Sequence, residues 1–258
     1  MAAQTLIYML VKIEFGRIPD STFLRLADEI SESIRKDYPI APQIKKFKML
    51  QVDMRSKERP EVSEVESPVM TFLSPDKNFG LRIGSDFLVV HTKKYQSFSD
   101  LSRRVAKILP LLIEKYEITH YSFLGIRYVN KIIPDDNQEF DSVVKRTDFL
   151  QPQLCEWLKG GSNMLSHYVD RKLEIALRIN SGVMVDGMLV PVDLMEVASD
   201  IVDIEERLPG PIAHIDIDAT YNKDPDAGMD EIDTDEIIDK MSRLRSIANA
   251  AYEHIIYK

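Results

Sequence analysis

One predicted strand in the middle of the chain carries a charged side chain that buried strands rarely contain. Residues 121 to 133, YSFLGIRYVNKII, alternate between two mainly apolar faces, as a strand covered on both sides does. Arg127 lies on one face and Asn130 on the other. Burying a guanidinium without a partner costs on the order of several kcal/mol. We therefore expect Arg127 to pair with an acidic residue or a ligand, and Asp216 and Asp218 are the first acidic candidates.

The spacing of apolar residues along the chain predicts an α+β fold. Three helical stripes are predicted, and the last repeats apolar side chains every three or four residues from Ile237 to Ile255. Few strand-helix-strand crossovers are visible, which favours antiparallel pairing. We predict a mainly antiparallel sheet, or sheets, with long helices packed on a face. Two similar halves, residues 1–134 and 135–258, are expected to pack as one compact unit. The predicted strands include residues 5–15, 68–74, 79–83, 87–92, 167–180, 190–197 and 213–221.

Composition and charge narrow the class of protein. The net charge of -9 argues against a general nucleic-acid binder, because neutralising phosphates requires an excess of Lys and Arg. The single cysteine, Cys155, forms no disulfide within the chain, which is typical of a reducing compartment. The opening residues lack a basic leader, and no apolar run reaches the length of a membrane span. These features predict a cytoplasmic protein that does not bind membranes.

A second polar pattern occurs in the predicted strand AHIDIDATY. His214, Asp216 and Asp218 share one face of that strand. An imidazole and two carboxylates are suitable ligands for a divalent metal ion, which can activate water or polarise a phosphate. The same alternation is also typical of an ordinary half-exposed strand. The pattern therefore leaves open both a metal site and a solvated or ion-paired strand face.

The sequence contains no glycine-rich phosphate loop, serine elbow or zinc spacing, so we predict no catalytic residues and no cofactor apart from that metal. His91 and Tyr95, in VVHTKKYQSF, lie where a strand leads into a helix and can line a pocket or simply pack. With Arg127, Tyr128 and Asn130, they are the predicted ligand- or partner-binding residues.

Taken with these elements, one short motif resembles that of a known family. Gly125, Arg127, Tyr128 and Asn130 match the Gly-x-Arg-Tyr-x-Asn core strand of an uncharacterised, sporadically distributed prokaryotic protein family. The segments YMLVKIEF, LVVHTKKYQSFSDL and HIDIDATY followed by a closing helix are similar to other parts of the same family. The chain departs from it at MAAQTL, where the family has a proline and an acidic residue.

The resemblance supplies no reaction, but patchy distribution is typical of mobile defence and toxin-antitoxin genes. The leading hypothesis is a non-enzymatic binding or assembly protein, with a protein partner or as a homo-oligomer, in an anti-phage defence or toxin-antitoxin system. The alternative is a metal-dependent phosphoesterase or nuclease that uses His214, Asp216 and Asp218, with Arg127 holding a phosphate. A third hypothesis is small-ligand sensing around Arg127, Tyr128 and Asn130.

Overall fold

Antiparallel pairing joins strands from both ends of the chain into one sheet. A computed structural model describes residues 5–53, 61–133, 140–151, 160–185, 187–221 and 228–256. Within these residues the strands are β1 (Leu6–Phe15), β2 (Ile40–Asp53), β3 (Glu61–Leu73), β4 (Phe79–Gly84), β5 (Phe87–Thr92), β6 (His120–Ile132), β7 (Met164–Asp170), β8 (Ile175–Met184), β9 (Ile212–Tyr221) and β10 (Asp230–Glu231). The helices are α1 (Asp20–Arg25), α2 (Ala27–Ile34), α3 (Phe98–Tyr116), α4 (Met195–Ala198) and α5 (Thr234–Ile255).

The strand order across the sheet is β2-β3-β4-β5-β1-β6-β9-β8-β7, and β10 pairs with β6. Every one of these pairs is antiparallel. The prediction of an α+β fold with a mainly antiparallel sheet is therefore confirmed. The sheet runs without a break from the first predicted half into the second, because β6 pairs with both β1 and β9.

One face of the sheet supports the helices and the main hydrophobic core. The α3 helix begins at Ser97, whose hydroxyl accepts a hydrogen bond from the Asp100 amide, and α5 begins at Asp233, which accepts one from the Glu236 amide. Both helices bury the apolar stripe that their sequences predict. The side chains that α3 and α5 bury are Leu101, Val105, Ile108, Leu109, Leu112, Tyr116, Ile237, Met241, Leu244, Ala248 and Ile255.

Two predicted strands were wrong. Residues 167–180 form the end of β7 and the start of β8 instead of one strand, because the Asp170 carboxylate accepts hydrogen bonds from the Lys172 and Leu173 amides and turns the chain. Residues 190–197 contain no strand: a 3-10 turn at Val192–Leu194 is followed by α4. The buried side chains there recur at helical spacing and not at strand spacing. They are Val190, Leu194, Ala198 and Ile201.

None of the helices within the described residues has both the length and the apolar character that crossing a membrane requires.

Candidate functional site: a strap across the charged face

The sheet face opposite the helices carries ionisable side chains in adjacent rows. Strand register places the side chains of β6, β9 and β8 side by side on this face, about 4.8 Å from strand to strand. We call it the charged face; β4 adds Arg82 to it. The rows are Lys131, His214 and Gly182; Val129, Asp216 and Asn180; and Arg127, Asp218 and Arg178.

A segment that we call the strap, residues 188–207, crosses the charged face. Its two ends meet, because Met188 pairs with Arg207 and the Leu208 amide donates to the Gly187 carbonyl over 2.9 Å. Gly187 has φ +67°, and a Cβ there would lie 2.2 Å from the Leu208 oxygen, so this closure requires glycine. The strap buries Val190, Leu194, Ala198 and Ile201 against Tyr8, Leu10, Val89 and Val129 of the sheet.

Arg127 ties the strap to the sheet through two carboxylates. Its Nε and Nη2 donate to the two oxygens of Asp216 over 2.8 and 2.6 Å. Its Nη1 and Nη2 donate to the two oxygens of Asp193, on the strap, over 2.6 and 3.2 Å. Burial works against the charge of Arg127, but the two carboxylates raise its pKa above the usual value. Burial raises the pKa of Asp216, against the lowering effect of Arg127. Both of its oxygens accept hydrogen bonds from the guanidinium, as a carboxylate does.

Arg82 holds the strap at a second point. Its Nε and Nη2 bond the carboxylate of Asp200, the latter over 2.9 Å. Its Nη1 donates to the Glu196 carboxylate, and Nη2 also donates to the Glu196 carbonyl over 2.7 Å. Only 4% of the Arg82 side chain is exposed. The two arginines therefore fix the strap from β4 and from β6.

His91 lies beneath the strap and is fully buried. Its Nδ1 is 2.9 Å from the Tyr8 hydroxyl, with which it shares a hydrogen bond. Burial, together with the nearby positive charge of Arg82, lowers the pKa of His91 to about 3, so the ring is neutral at physiological pH. The ring fits because β4 has Gly80 directly opposite: a Cβ at residue 80 would lie 2.1 Å from the imidazole Nε2.

Two cavities flank the strap at Asp193. The smaller encloses about 480 Å³, and its walls include Lys12, Phe87, Phe123 and Asp218. The larger encloses about 870 Å³, and its walls include Lys131, Arg178, Asn180 and His214. Arg127 borders the smaller cavity, and Asp193 of the strap borders both.

Asp218 is the carboxylate of the charged face that the arginines leave without a hydrogen bond. Within the described residues nothing donates a hydrogen bond to it, although Arg127 and Arg178 lie directly opposite on the neighbouring strands. Burial raises the pKa of Asp218 to about 6, against the lowering effect of Arg127. Asp218 therefore gains or loses its charge near pH 6, within the pH range in which many proteins work.

The predicted binding residues do not form one site. Arg127 and His91 lie on the charged face, whereas Tyr128 and Asn130 point to the helix face, as strand alternation requires. Asn130 donates to the Ile215 carbonyl over 3.1 Å. The rings of Tyr128 and Tyr95 meet edge to face, with centroids 6.1 Å apart. Tyr95, Tyr128 and Asn130 are thus engaged in packing and internal hydrogen bonding.

The residues of the predicted metal site are separated by the strap. His214 lines the larger cavity, Asp218 lines the smaller cavity, and Asp216 lies between them, bonded to Arg127. In the described part of the chain, no three His, Cys, Asp or Glu side chains are grouped so that they could hold a metal ion. The metal site stays a prediction that this arrangement does not favour.

Sequence reasoning missed four residues that build the site. Arg82 lies in FGLRIG, a fully buried strand in which a lone arginine is the same signal that identified Arg127. Asp193, Glu196 and Asp200 are spaced three and four residues apart, as side chains on one side of a helix are. The prediction of a strand at 190–197 concealed that spacing.

Comparison with models of known protein families gave no match, and a search of curated proteins gave none either, so the family resemblance stays a prediction.

We expect Arg127→Met to lower the free energy of unfolding by about 3–5 kcal/mol, because Asp216 is left buried without a partner. Adding Asp216→Leu should recover most of that loss, since replacing both members of a buried pair by apolar side chains is often nearly neutral. Urea unfolding of the single and double variants measures both effects. Arg146→Met removes an arginine from an exposed pair with Asp148 and should leave stability nearly unchanged. A double variant no more stable than Arg127→Met would contradict the assigned pairing.

The raised pKa of Asp218 predicts a pH-dependent difference in stability. The folded protein binds this proton more tightly than the unfolded chain, whose aspartates titrate near about 3.9. Its contribution is therefore favourable below about pH 4 and is lost as pH rises through about 6. Asp218→Asn should raise the free energy of unfolding by about 1–3 kcal/mol at pH 7 and leave it almost unchanged at pH 4. Denaturation at several pH values tests this, with exposed Asp239→Asn as control. A gain independent of pH would refute the assignment.

Gly80→Ala should lower the free energy of unfolding by about 1–3 kcal/mol, because the added methyl overlaps the buried His91 ring and forces a backbone or side-chain shift. Gly16→Ala is the matched control, since a Cβ at residue 16 meets no atom within 4 Å. Chemical denaturation compares the two. Equal stabilities for the two variants would show that the His91 ring has room to move.

Proposed function

We propose that this chain is a non-enzymatic assembly protein and that its β7 edge pairs with a second copy. The observation that carries the proposal is the composition of this edge. Within the described residues β7 pairs only with β8, so its other side is an open edge. Leu165, Tyr168, Val169 and Leu173, in β7 and the turn after it, are 48–57% exposed. Edges of this kind attract other strands, and proteins usually protect them with charges, proline or a covering element.

A second copy is the partner that fits this edge. When two β7 strands pair antiparallel about His167, Leu165 of one copy lies opposite Val169 of the other, and the two-fold axis repeats the contact. Tyr168 then lies opposite Ser166. Cross-strand pairs of apolar side chains stabilise a sheet, and an isologous two-fold contact closes on itself as a dimer.

The charged face supports a role in binding over a role in catalysis. Arg127, which the hydrolase hypothesis needs for a phosphate, already donates to both oxygens of Asp193 and of Asp216. His214 and Asp218 lie on opposite sides of the strap. Both lie on β9, where four residues span about 13 Å, so movement of the strap alone would not bring them together for hydrolysis.

We further propose that the chain consists of two similar α+β halves, each closed by a long helix, with the boundary between α3 and β6 instead of at residue 134. From β1 outward the strands are β5, β4, β3 and β2, and from β6 outward they are β9, β8 and β7. In both halves the first strand is central and the last strand of the meander returns to pair with it. The helices that follow, α3 and α5, contact each other. A dimer through β7 would extend this sheet across two copies.

On the family resemblance alone, we propose that the assembly acts in the cytoplasm in a bacterial anti-phage defence or toxin-antitoxin system. Deleting the gene from its host, then restoring it with or without Val169→Lys, tests this role against phage. If the protein has this role, the number of phage plaques must differ between the deletion strain and the strain restored with the wild-type gene.

Val169→Lys should convert a dimer into a monomer, because a lysine opposite Leu165 of the second copy places a charge among apolar side chains. Multi-angle light scattering should give twice 29.6 kDa for the wild type and 29.6 kDa for the variant. The matched control is Leu24→Lys, which changes an exposed apolar side chain on α1, 45% accessible, and should leave the dimer intact.

A wild-type chain that remains at 29.6 kDa at every concentration would remove the proposal. A dimer that persists in Val169→Lys would place the interface elsewhere and would equally count against the β7 edge.

A further inference from the structure

The larger cavity has the dimensions of a small-molecule site. Its volume of about 870 Å³ lies within the range of about 300–1,000 Å³ that ligand pockets show. The floor is made by β6, β8 and β9, and Pro191, Val192 and Asp193 of the strap form one wall. The cavity is thus built from rigid strands on one side and from a segment fixed by two arginines on the other.

The wall of this cavity carries more basic than acidic side chains, unlike the chain as a whole. The chain carries a net charge of -9, yet the ionisable groups of the cavity are Lys131, Arg178, His214 and one acid, Asp193. Asp193 accepts hydrogen bonds from Arg127, which it shares with Asp216, so its carboxylate is already held by a guanidinium. The remaining ionisable groups of the wall, Lys131, Arg178 and His214, are basic and favour small anions.

Arg178 is the side chain best placed to bind such an anion. It projects from β8 between Asp218 and His167 on the neighbouring strands. Within the described residues it makes no hydrogen bond or ion pair, unlike Arg82 and Arg127 on the same face. A guanidinium offers five N–H donors in a planar fork, which matches the oxygens of a phosphate group.

Asn180 supplies a second, independent sign of a ligand. It lies two residues from Arg178 on the same face of β8 and lines the same cavity. Its Oδ1 atom is buried and has no hydrogen-bond partner. Buried amides normally find a partner, and a hydroxyl or amine of a ligand in the cavity would donate a hydrogen bond to this oxygen.

From these observations we propose that the larger cavity binds a phosphate-bearing small molecule, with Arg178 donating to the phosphate and Asn180 Oδ1 accepting a hydrogen bond from a neighbouring hydroxyl or amine of the ligand. This site is separate from the β7 edge contact, so either proposal can fail while the other stands.

Isothermal titration calorimetry with pyrophosphate, at fixed ionic strength, tests the site. The wild type should bind saturably, and Arg178→Gln should weaken binding by about tenfold, the value of one charge-assisted hydrogen bond. Arg178→Lys should weaken it less, because lysine keeps the charge and loses the fork. Arg171→Gln is the matched control: it removes the same charge from an exposed residue of the β7–β8 turn and should leave the affinity unchanged.

Two further measurements complete the test. Thermal unfolding of each variant establishes that it is folded. Asn180→Ala leaves the charge of the cavity unchanged and should weaken the binding of glycerol 3-phosphate, whose hydroxyl groups can donate to Oδ1, more than it weakens the binding of pyrophosphate. Absence of saturable pyrophosphate binding by the wild type overturns the proposal. Equal weakening by Arg178→Gln and Arg171→Gln overturns it too, since only overall charge would then matter. Malonate binding as tightly as pyrophosphate would overturn the assignment of a phosphate.

Discussion

The Arg127 guanidinium, held between Asp216 and Asp193, fixes the arrangement of the whole charged face. One side chain from β6 bonds a carboxylate of the adjacent strand and a carboxylate of the strap, so it sets the height and position of the strap at once. A buried ion pair gives little net stability, because desolvation consumes most of the attraction. The ion pairs of Arg127 instead fix the position of the strap on the sheet. The two cavities exist where they do because the strap is held between them.

The two faces of the sheet perform different tasks. On the helix face, apolar side chains from β1, β6 and β9 pack under α3 and α5, and their burial supplies the driving force for folding. On the charged face, a small apolar cluster beneath the strap is surrounded by ion pairs. The large core allows the second face to carry Arg82, Arg127 and Asp216, whose burial would be costly in a smaller protein.

Several parts of this structure could be predicted from sequence because local pattern and tertiary environment agree. β1, β6, α3 and α5 follow their apolar periodicity, and the Arg127–Asp216 pair follows from the need of a buried guanidinium for a partner. The strap could not be predicted in this way. Its short apolar run has the length of a strand, and its acids resemble surface residues until Arg82 and Arg127 are seen beneath them. The turn at Asp170 was missed because it interrupts an otherwise regular alternation.

The closure of the strap at Met188 and Arg207 has an evolutionary consequence. A segment that leaves a scaffold and rejoins it at one point can change its length or sequence without shifting the strands around it. Descendants of this chain could therefore replace the strap by a different segment and so bind different ligands, while β6, β8 and β9 stay unchanged. The pair of acids at 193 and 200 would be the minimum that such a replacement has to retain.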